Sequence, residues 1–271
     1  MKTLGNYTIL YDAECPMCNI YTKAFVKTGM LDNTGRAPYQ ELASDDCPLV
    51  NRQRAADEIA LVNRQTGEVT YGIKSLFKIL GNAWPVFKGL FNSAPFVWLM
   101  SKVYAFISYN RRVIIPARNE SYIYQPTFKL RYRVAYLLFT WFITAFILTR
   151  YAPLLQDMVP VGGVYREYLI CGGQILFQGG IISLLVKQKR WEYLGNMMTI
   201  SFAGSILLLP IVLLSAAIGM HPLFYTLYFL LVAGLMLLEH IRRSKIMGIG
   251  WRLTITWAIY RVAVLGTILF I

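Results

Sequence analysis

Five apolar runs fill the second half of the chain and restrict the folds that it can adopt. They begin near Val134 and are separated by short polar loops. A helix needs about 20 apolar residues to cross the hydrocarbon core of a bilayer, with a range of about 17 to 25. The sequence therefore predicts an all-α, polytopic membrane bundle of about five transmembrane helices over residues 133–271. We expect the helices at Val134–Thr149, Glu167–Val186, Tyr193–Gly219, Pro222–Leu238 and Thr254–Ile271.

Basic residues in the loops predict how this bundle is oriented. Short cytoplasmic loops of membrane proteins are enriched in lysine and arginine. Ten basic residues fall on one side of the predicted bundle, and two, Arg150 and Arg166, fall on the other. Because the number of spans is odd, we expect an integral protein of the cytoplasmic membrane with a cytoplasmic N-terminal domain and an external C-terminus. The ten are Lys129, Arg131, Arg133, Lys187, Lys189, Arg190, Arg242, Arg243, Lys245 and Arg252.

Residues 1 to about 130 hold most of the charge. Residues 1–116 are predicted to form a separate cytoplasmic domain, followed by a basic juxtamembrane linker at residues 117–132. The first residues contain one lysine and no apolar core, so we predict no secretory signal peptide. The net charge of +13 does not gather on a nucleic-acid-binding motif, and much of it flanks the apolar runs. Membrane lipids are therefore predicted partners, and nucleic acid is not.

The stretch YDAECPMCN, Tyr11–Asn19, contains two cysteines three residues apart, between a strand-like segment and a helix-like segment. Pro16 suits the first position of that helix, and Gly29 suits its C-terminal cap. The helix dipole and the backbone N–H groups at such a terminus lower the pKa of a thiol, and the thiolate is the nucleophile. We therefore predict that Cys15 attacks and that Cys18, one turn further along, is the resolving cysteine.

Two carboxylates, Asp12 and Glu14, act against thiolate formation beside this motif. Asp12 is the candidate to accept a proton from Cys18 during turnover.

Other uses of the cysteine pair stay open at this point. A reducing cytoplasm argues against a permanent disulfide. A structural zinc site needs about four ligands, whereas the motif supplies two. Cys47 is a candidate third ligand, while His221 and His240 are expected near opposite ends of the bundle. We therefore predict no metal site within one chain; a site shared between two chains and a purely structural pair remain alternatives.

The rest of the first domain alternates between strand and helix patterns. APYQEL predicts a second strand, DEIALVN and EVTYG predict a β-hairpin, and IKSLFKILG predicts a short amphipathic helix. A longer helix is expected at Ala94–Asn110. The aromatic segment Pro85–Pro116 around it is predicted either to close the core of the domain or to dock it on the bilayer. Arg111 and Arg112 are then expected to face lipid phosphates or solvent.

The motif YDAECPMCN resembles the signature of the DCC family of thiol–disulfide oxidoreductase-like domains, in which Asp-x-x-Cys-x-x-Cys follows a strand. TGEVTYG, IKSLFKILG and VYAFISYNRR also occur in the order of that family, over about residues 5–115. The resemblance implies a thioredoxin-like α/β fold and a redox role for Cys15 and Cys18, with Asp12 at the family's acidic position. No proline immediately precedes the predicted strand at Asp57–Asn63, so the cis-proline that aligns substrates in thioredoxins is not evident.

A polar stripe interrupts the second apolar run, in CGGQILFQGG. Cys171, Gln174 and Gln178 lie at i, i+3 and i+7 and share one helical face. Arg261 lies well inside the fifth run, where a charge costs at least about 2.5 kcal/mol, at a depth similar to that of Gln178. One interpretation is a tight helix seam on the small residues, with Arg261 reaching towards the interface. The other is a polar site formed by Gln174, Gln178 and Arg261 for a lipid headgroup or a quinone.

Two hypotheses for function follow. The first is a membrane-anchored thiol–disulfide oxidoreductase that uses the Cys15–Cys18 dithiol without a further cofactor and exchanges electrons with a protein thiol or disulfide. The second is a bundle that handles a lipid or small molecule, or serves as an assembly partner, with the N-terminal domain as a scaffold or redox sensor.

Overall fold

The computed structural model describes residues 2–41, 49–117 and 122–270. The chain forms two structural units, Met1–Tyr132 and Arg133–Ile271, each with its own apolar core.

A four-stranded mixed sheet forms the centre of the first unit. Its strands are β1 Tyr7–Tyr11, β2 Arg36–Pro38, β3 Ala60–Asn63 and β4 Val69–Tyr71. Their order across the sheet is β2-β1-β3-β4, with β1 parallel to β2 and antiparallel to β3. β3 and β4 form the predicted hairpin. This order and these directions give the thioredoxin-like arrangement that the resemblance implies.

The second strand is shorter than predicted. Arg36–Pro38 pair with β1, whereas Tyr39–Glu41 form a 3-10 turn. Pro38 has no backbone N–H to continue the ladder, which is a physical reason for the strand to end there. Leu42, the last residue of the predicted strand, lies outside the described residues.

Five helices accompany the sheet in the described part of the first unit. They are α1 Pro16–Lys27, α2 Arg52–Asp57, α3 Ile73–Ala83, α4 Lys88–Asn92 and α5 Ala94–Ile114. Gly29, just beyond α1, has a φ of +72°, which agrees with its predicted capping position. α5 extends four residues past the predicted end, and Arg111 and Val113 on its last turn are buried.

Alternation along β1 places Ile9 and Leu10 on opposite faces of the sheet, and both are buried. Ile9 packs in one cluster with Leu61, while Leu10 packs in another with Tyr39 and Ala56. Because side chains cover both faces, β1 is a fixed support from which the chain enters the cysteine motif.

The aromatic segment of α4 and α5 is divided between core and surface. Phe91 and Phe96 stack on Phe77 of α3, with ring centroids 4.7 and 5.5 Å apart, whereas Trp98 is 64% exposed. The two helical stretches Pro85–Asn92 and Ala94–Ile114 together match a membrane span in length and composition but are bent by 85°. The core interpretation therefore holds for part of this segment, and docking on a bilayer stays a prediction.

The described part of the predicted linker lies along the first unit. The Tyr39 hydroxyl donates to the carbonyl of Tyr124 at 2.7 Å, and the N–H of Thr127 donates to the Asp57 carboxylate at 2.6 Å. These hydrogen bonds hold residues 122–129 beside the 3-10 turn and α2.

Five helices make up most of the described second unit, and each is long and apolar enough to cross a membrane. They are α6 Leu130–Tyr151, α7 Arg166–Leu185, α8 Arg190–Ile218, α9 Pro222–Ile246 and α10 Arg252–Phe270. Their number and order agree with the five predicted runs. α8 supplies Tyr193, Met197 and Met198 to the core and continues through Pro210.

α9 is longer than the predicted Pro222–Leu238. It reaches Ile246, so that Arg242, Arg243 and Lys245 lie on its last turns. From the sequence, these three residues are expected in the loop after the helix. Glu239 pairs with the first two of these residues at i, i+3 and i, i+4 spacing, at 2.6 and 2.7 Å. Such pairs stabilise a helix beyond the point where its apolar run stops.

Candidate dithiol site

Cys15 and Cys18 lie at the start of α1, a few residues after the central strand β1. Cys15 caps the helix with extended backbone angles, φ −91° and ψ 106°. Its Sγ accepts a hydrogen bond from the backbone N–H of Cys18 at 3.3 Å. Pro16 occupies the first helical position. The position predicted for Cys15 at the helix N-terminus is therefore confirmed.

Both cysteines are free thiols and are almost completely buried. Cys15 is 1% exposed and Cys18 is 2% exposed. A thiol must be reached by the sulfur of its partner before exchange can begin. A reaction of this pair with another protein therefore requires a local opening of the chain around α1.

The ionisation of each thiol depends on the other. A second hydrogen bond, between the two thiol side chains, lowers the pKa of Cys18 to about 7; burial acts in the opposite direction, and the charge of Arg111 reinforces the lowering. The same hydrogen bond, together with burial, raises the pKa of Cys15 well above its ordinary value. Because each sulfur is the other's partner, the pair gives up one proton near neutral pH and retains the second. One thiolate, the nucleophilic form, is thus available near pH 7.

Arg111 on the last turn of α5 supplies a positive charge next to the dithiol and is 3% exposed. Its Nη2 donates to Oδ2 of Asp12 at 2.9 Å and to the carbonyl of Ala56. Its Nη1 donates to the carbonyl of Asp57 at 3.1 Å and to the hydroxyl of Ser108 at 3.2 Å. Burial lowers the pKa of the guanidinium, but the neighbouring cysteines and carboxylate more than offset this, so that the net pKa lies above its ordinary value. Arg111 therefore stays charged.

The expected placement of Arg111 at lipid phosphates or in solvent is wrong. The guanidinium is buried because an acidic motif 99 residues earlier in the chain faces it. Its neighbour Arg112 is partly exposed and lies 3.0 Å from Glu14 and 3.6 Å from Asp12. The signal in the sequence was this charge complementarity, an acidic pair in the motif and a basic pair at the end of α5.

Asp12 is 1% exposed and is surrounded by donors. Oδ1 accepts hydrogen bonds from Nε2 of Gln40 at 2.8 Å and from the backbone N–H of Glu14 at 3.1 Å. Oδ2 accepts from Arg111 and also lies near Arg112. A carboxylate held in this way is fixed in position, and it fixes the guanidinium of Arg111 in turn.

The described residues contain no group of three or more His, Cys, Asp or Glu side chains that could hold a metal ion. Cys47, the candidate third ligand, lies outside the described residues. His240 contacts Tyr193 and Thr254 in the second unit, and His221 caps α9.

The residues of the predicted intramembrane polar site lie together in part. Cys171, Gln174 and Gln178 are buried on one face of α7, as the spacing predicts. Nη2 of Arg261 donates to Oε1 of Gln174 at 3.0 Å. Gln178 makes no hydrogen bond with Arg261; its Oε1 instead accepts from the hydroxyl of Tyr193 at 3.0 Å.

The small residues of the same stretch form a close helix contact. A Cβ added to Gly173 would lie 2.6 Å from the hydroxyl of Tyr260 on α10. That hydroxyl donates to the carbonyl of Ile170 at 2.8 Å. The seam and the polar group therefore occur side by side on α7.

Comparison with known families gives one match. Residues 9–115 match the family model described as DCC1-like thiol-disulfide oxidoreductase. The matched segment contains the sheet, both cysteines of the motif, Asp12 and Arg111. No curated protein and no solved structure matches the chain.

Proposed function

We propose, on the premise that residues 9–115 form a DCC1-like thiol–disulfide oxidoreductase domain, that this chain is a membrane-anchored enzyme of dithiol exchange. The observation that carries the proposal is the placement of the pair, with both thiols buried at a helix N-terminus beside a buried arginine that Asp12 holds. Two buried thiols share one proton at a helix N-terminus, and the buried charge of Arg111 favours the thiolate. The dithiol supplies the redox equivalents, and no further cofactor is needed for this step.

The proposed reaction is a two-step exchange with a protein disulfide. The proton held by Cys15 first passes to the Cys18 thiolate; the Cys15 thiolate then attacks one sulfur of the partner, a mixed disulfide forms, and the partner's second sulfur leaves as a thiolate. Cys18 then loses its proton and attacks Cys15, which releases the reduced partner and leaves a Cys15–Cys18 disulfide. Two electrons pass to the partner in this direction, and the reverse sequence oxidises a partner dithiol.

We propose that Asp12 acts mainly as a positioning residue. Its two oxygens are engaged by the donors of Gln40, Glu14 and Arg111, so that it holds the guanidinium next to the sulfurs. The role of proton acceptor from Cys18 stays a prediction.

We also propose that the dithiol domain lies in the cytoplasm and that the five helices cross the cytoplasmic membrane. The support is the ten-to-two distribution of basic residues between the two ends of the alternating helices, together with the length and composition of these helices. A C-terminal fusion to a reporter that is active only outside the cytoplasm is expected to be active. A reporter that works only in the cytoplasm is expected to be silent at that end, and activity there would reverse the orientation.

Trapping of a mixed disulfide tests the exchange reaction itself. The full-length Cys18→Ser variant is expected to accumulate a covalent adduct through Cys15 that a reductant releases. Cys171→Ser serves as the matched control, because that thiol is buried in the other unit, and it is expected to behave as wild type. Absence of any adduct, together with unchanged alkylation of Cys15 under oxidant, would remove the redox proposal.

A second candidate function uses the five-helix unit to handle a lipid or small molecule. The specific observation in its favour is the polar group around Arg261. Functional complementation by the Cys15→Ser/Cys18→Ser double variant separates the candidates. Loss of function at normal protein level supports the dithiol, and full rescue supports the bundle.

A further inference from the structure

Among the buried side-chain atoms of the second unit that lack a hydrogen-bond partner within the described residues, four are donors on two helices. They belong to side chains on α7 and α10. Three of these side chains are nearly inaccessible: Gln174 is 4% exposed, Gln178 is 0% exposed and Trp257 is 3% exposed. Buried donors are almost always satisfied in folded proteins, so a cluster of unsatisfied donors calls for an explanation. The four atoms are Nε2 of Gln174, Nε2 of Gln178, Nε1 of Trp257 and Nε of Arg261.

These side chains form one connected group. Gln174 and Gln178 lie one turn apart on α7, as do Trp257 and Arg261 on α10, so each pair shares a helix face. The guanidinium of Arg261 bonds to Gln174 and lies 4.5 Å from the ring centroid of Trp257. Thr256, beside Trp257, donates to Oε1 of Gln178 at 3.3 Å. The four side chains therefore belong to one contact between α7 and α10.

The hydrogen bond with Arg261 fixes the direction of the Gln174 amide. Arg261 offers only donors, so the oxygen of Gln174 must face it and the NH₂ group must point elsewhere. The oxygen of Gln178 accepts from the hydroxyls of Tyr193 and Thr256. Rotating the Gln174 amide would break its bond with Arg261, so the neighbouring residues leave its NH₂ group unpaired, and the NH₂ group of Gln178 likewise has no partner among the described residues.

The charge of Arg261 also lacks a counter-ion. It forms no ion pair with any residue in the described part of the chain, and its second polar neighbour is the hydroxyl of Ser201 at 3.5 Å. Arg261 is partly buried and its Nε is inaccessible, and a charge in such a place is normally paired with an acid or an oxygen acceptor. The group thus combines one positive charge with several free N–H donors and offers no free acceptor among these four atoms. What it lacks is an acceptor for these four N–H donors.

We propose that this group, Gln174, Gln178, Trp257 and Arg261, binds the oxygen acceptor of an apolar, membrane-dissolved ligand. The acceptor is the carboxylate of a long-chain fatty acid or the carbonyl of a quinone, because both present compact oxygens on a body that dissolves in hydrocarbon. Arg261 contributes the charge, and the amide and indole N–H groups contribute direction. The inference rests on the proposed membrane placement of the five helices and not on the activity of the dithiol.

Direct binding to the full-length protein tests the site. The protein is reconstituted in phosphatidylcholine nanodiscs and titrated separately with radiolabelled oleate and with a decyl-substituted benzoquinone. We expect saturable binding of one probe with a stoichiometry near one. Saturable binding of oleate alone identifies a carboxylate as the group that is bound. Saturable binding of the quinone alone identifies a carbonyl.

Two variants assign the binding to this group. Gln178→Leu removes one donor, and Trp257→Phe removes the indole N–H while keeping an aromatic ring under Arg261. Each is expected to weaken binding about tenfold, which corresponds to about 1.4 kcal/mol. Trp251→Phe is the matched control, because Trp251 is 57% exposed at the start of the same helix, and its binding is expected to equal wild type.

The proposal fails if neither probe binds saturably, or if binding is the same in Trp257→Phe, Trp251→Phe and wild type. Monodisperse elution of each variant in nanodiscs shows that it has folded, and if Gln178→Leu does not fold, Trp257→Phe alone decides. The Cys15→Ser/Cys18→Ser variant is expected to bind the probe normally. A failure of the redox proposal and a failure of this one are therefore separate results.

Discussion

Replacing Arg111 by methionine tests how the dithiol is activated. Methionine keeps part of the apolar stem but removes the charge and every N–H donor. In the wild type, the pKa of Cys18 is about 7, so that about half of the pair carries a thiolate at pH 7. A neighbouring opposite charge shifts a pKa by about 1–3 units. Because the hydrogen bond with Cys15 remains, we take the lower part of this range, a rise of about 1–2 units.

That rise predicts the size of the effect on reactivity. With a pKa of about 8 to 9, the thiolate at pH 7 falls from about one half to between about a tenth and a hundredth of the molecules. We therefore expect alkylation of the motif at pH 7 to slow by about 5- to 50-fold in Arg111→Met. Arg111→Lys retains a positive charge, so its alkylation rate at pH 7 is expected to lie between those of Arg111→Met and the wild type.

The assay is the pH dependence of iodoacetamide alkylation in the full-length protein, with each cysteine read separately by peptide mass spectrometry. Arg112→Met is the matched control, because Arg112 is the adjacent arginine and is not among the main causes of the Cys18 shift. It is expected to move the apparent pKa less than Arg111→Met does. An apparent pKa that stays near 7 in Arg111→Met, or moves equally in both variants, would refute this reasoning.

The remaining predictions concern stability and the role of the carboxylate. Between about pH 7 and 9 the unfolded chain keeps both thiol protons while the folded pair keeps one, so the free energy of unfolding is expected to rise by up to about 1.4 kcal/mol per pH unit. Above about pH 9 the unfolded chain loses both protons and the folded pair still holds the one on Cys15, so the free energy of unfolding falls again. Urea unfolding at each pH checks this maximum. The Cys15→Ser/Cys18→Ser variant should show no such maximum. If the Asp12 carboxylate positions Arg111, Asp12→Asn is expected to slow the first attack by Cys15. If Asp12 only accepts a proton, the variant would leave that step unchanged and slow only the resolution by Cys18. Stopped-flow kinetics separates the two steps. Gly72→Ala should lower the free energy of unfolding by about 1 kcal/mol or more, because Gly72 has a φ of +64° and an added Cβ would collide with the carboxylate of Glu58. Gly5→Ala is the control and should lower it less, because Gly5 has open space around it.

Local signals account for the parts of the fold that were predicted correctly. The strand before the motif, Pro16 at the first position of α1 and Gly29 after its end are neighbours in sequence, and each acts through its own backbone preference. The hairpin of β3 and β4 is equally local. The five helices of the second unit follow from the length of their apolar runs, which depends on no distant contact.

The parts that were missed depend on long-range contacts. Arg111 is separated from Asp12 by 99 residues, and only the folded chain shows that its charge is buried. The last turns of α9 were missed because hydropathy falls at Glu239, while the helix continues on ion pairs. In the polar site, spacing alone placed Gln174 and Gln178 on one face, but it gave no sign that Trp257 would add a donor.

The most direct test of the central claim is a redox titration of Cys15 and Cys18 in the full-length protein. The protein is equilibrated with glutathione buffers of graded potential, quenched with acid and alkylated, and the state of each cysteine is read by mass spectrometry. We expect one reversible, two-electron transition in which both cysteines lose their reactivity together and form a single disulfide with each other. Failure of Cys15 and Cys18 to form this disulfide at any potential, or oxidation that a reductant does not reverse, would contradict the account.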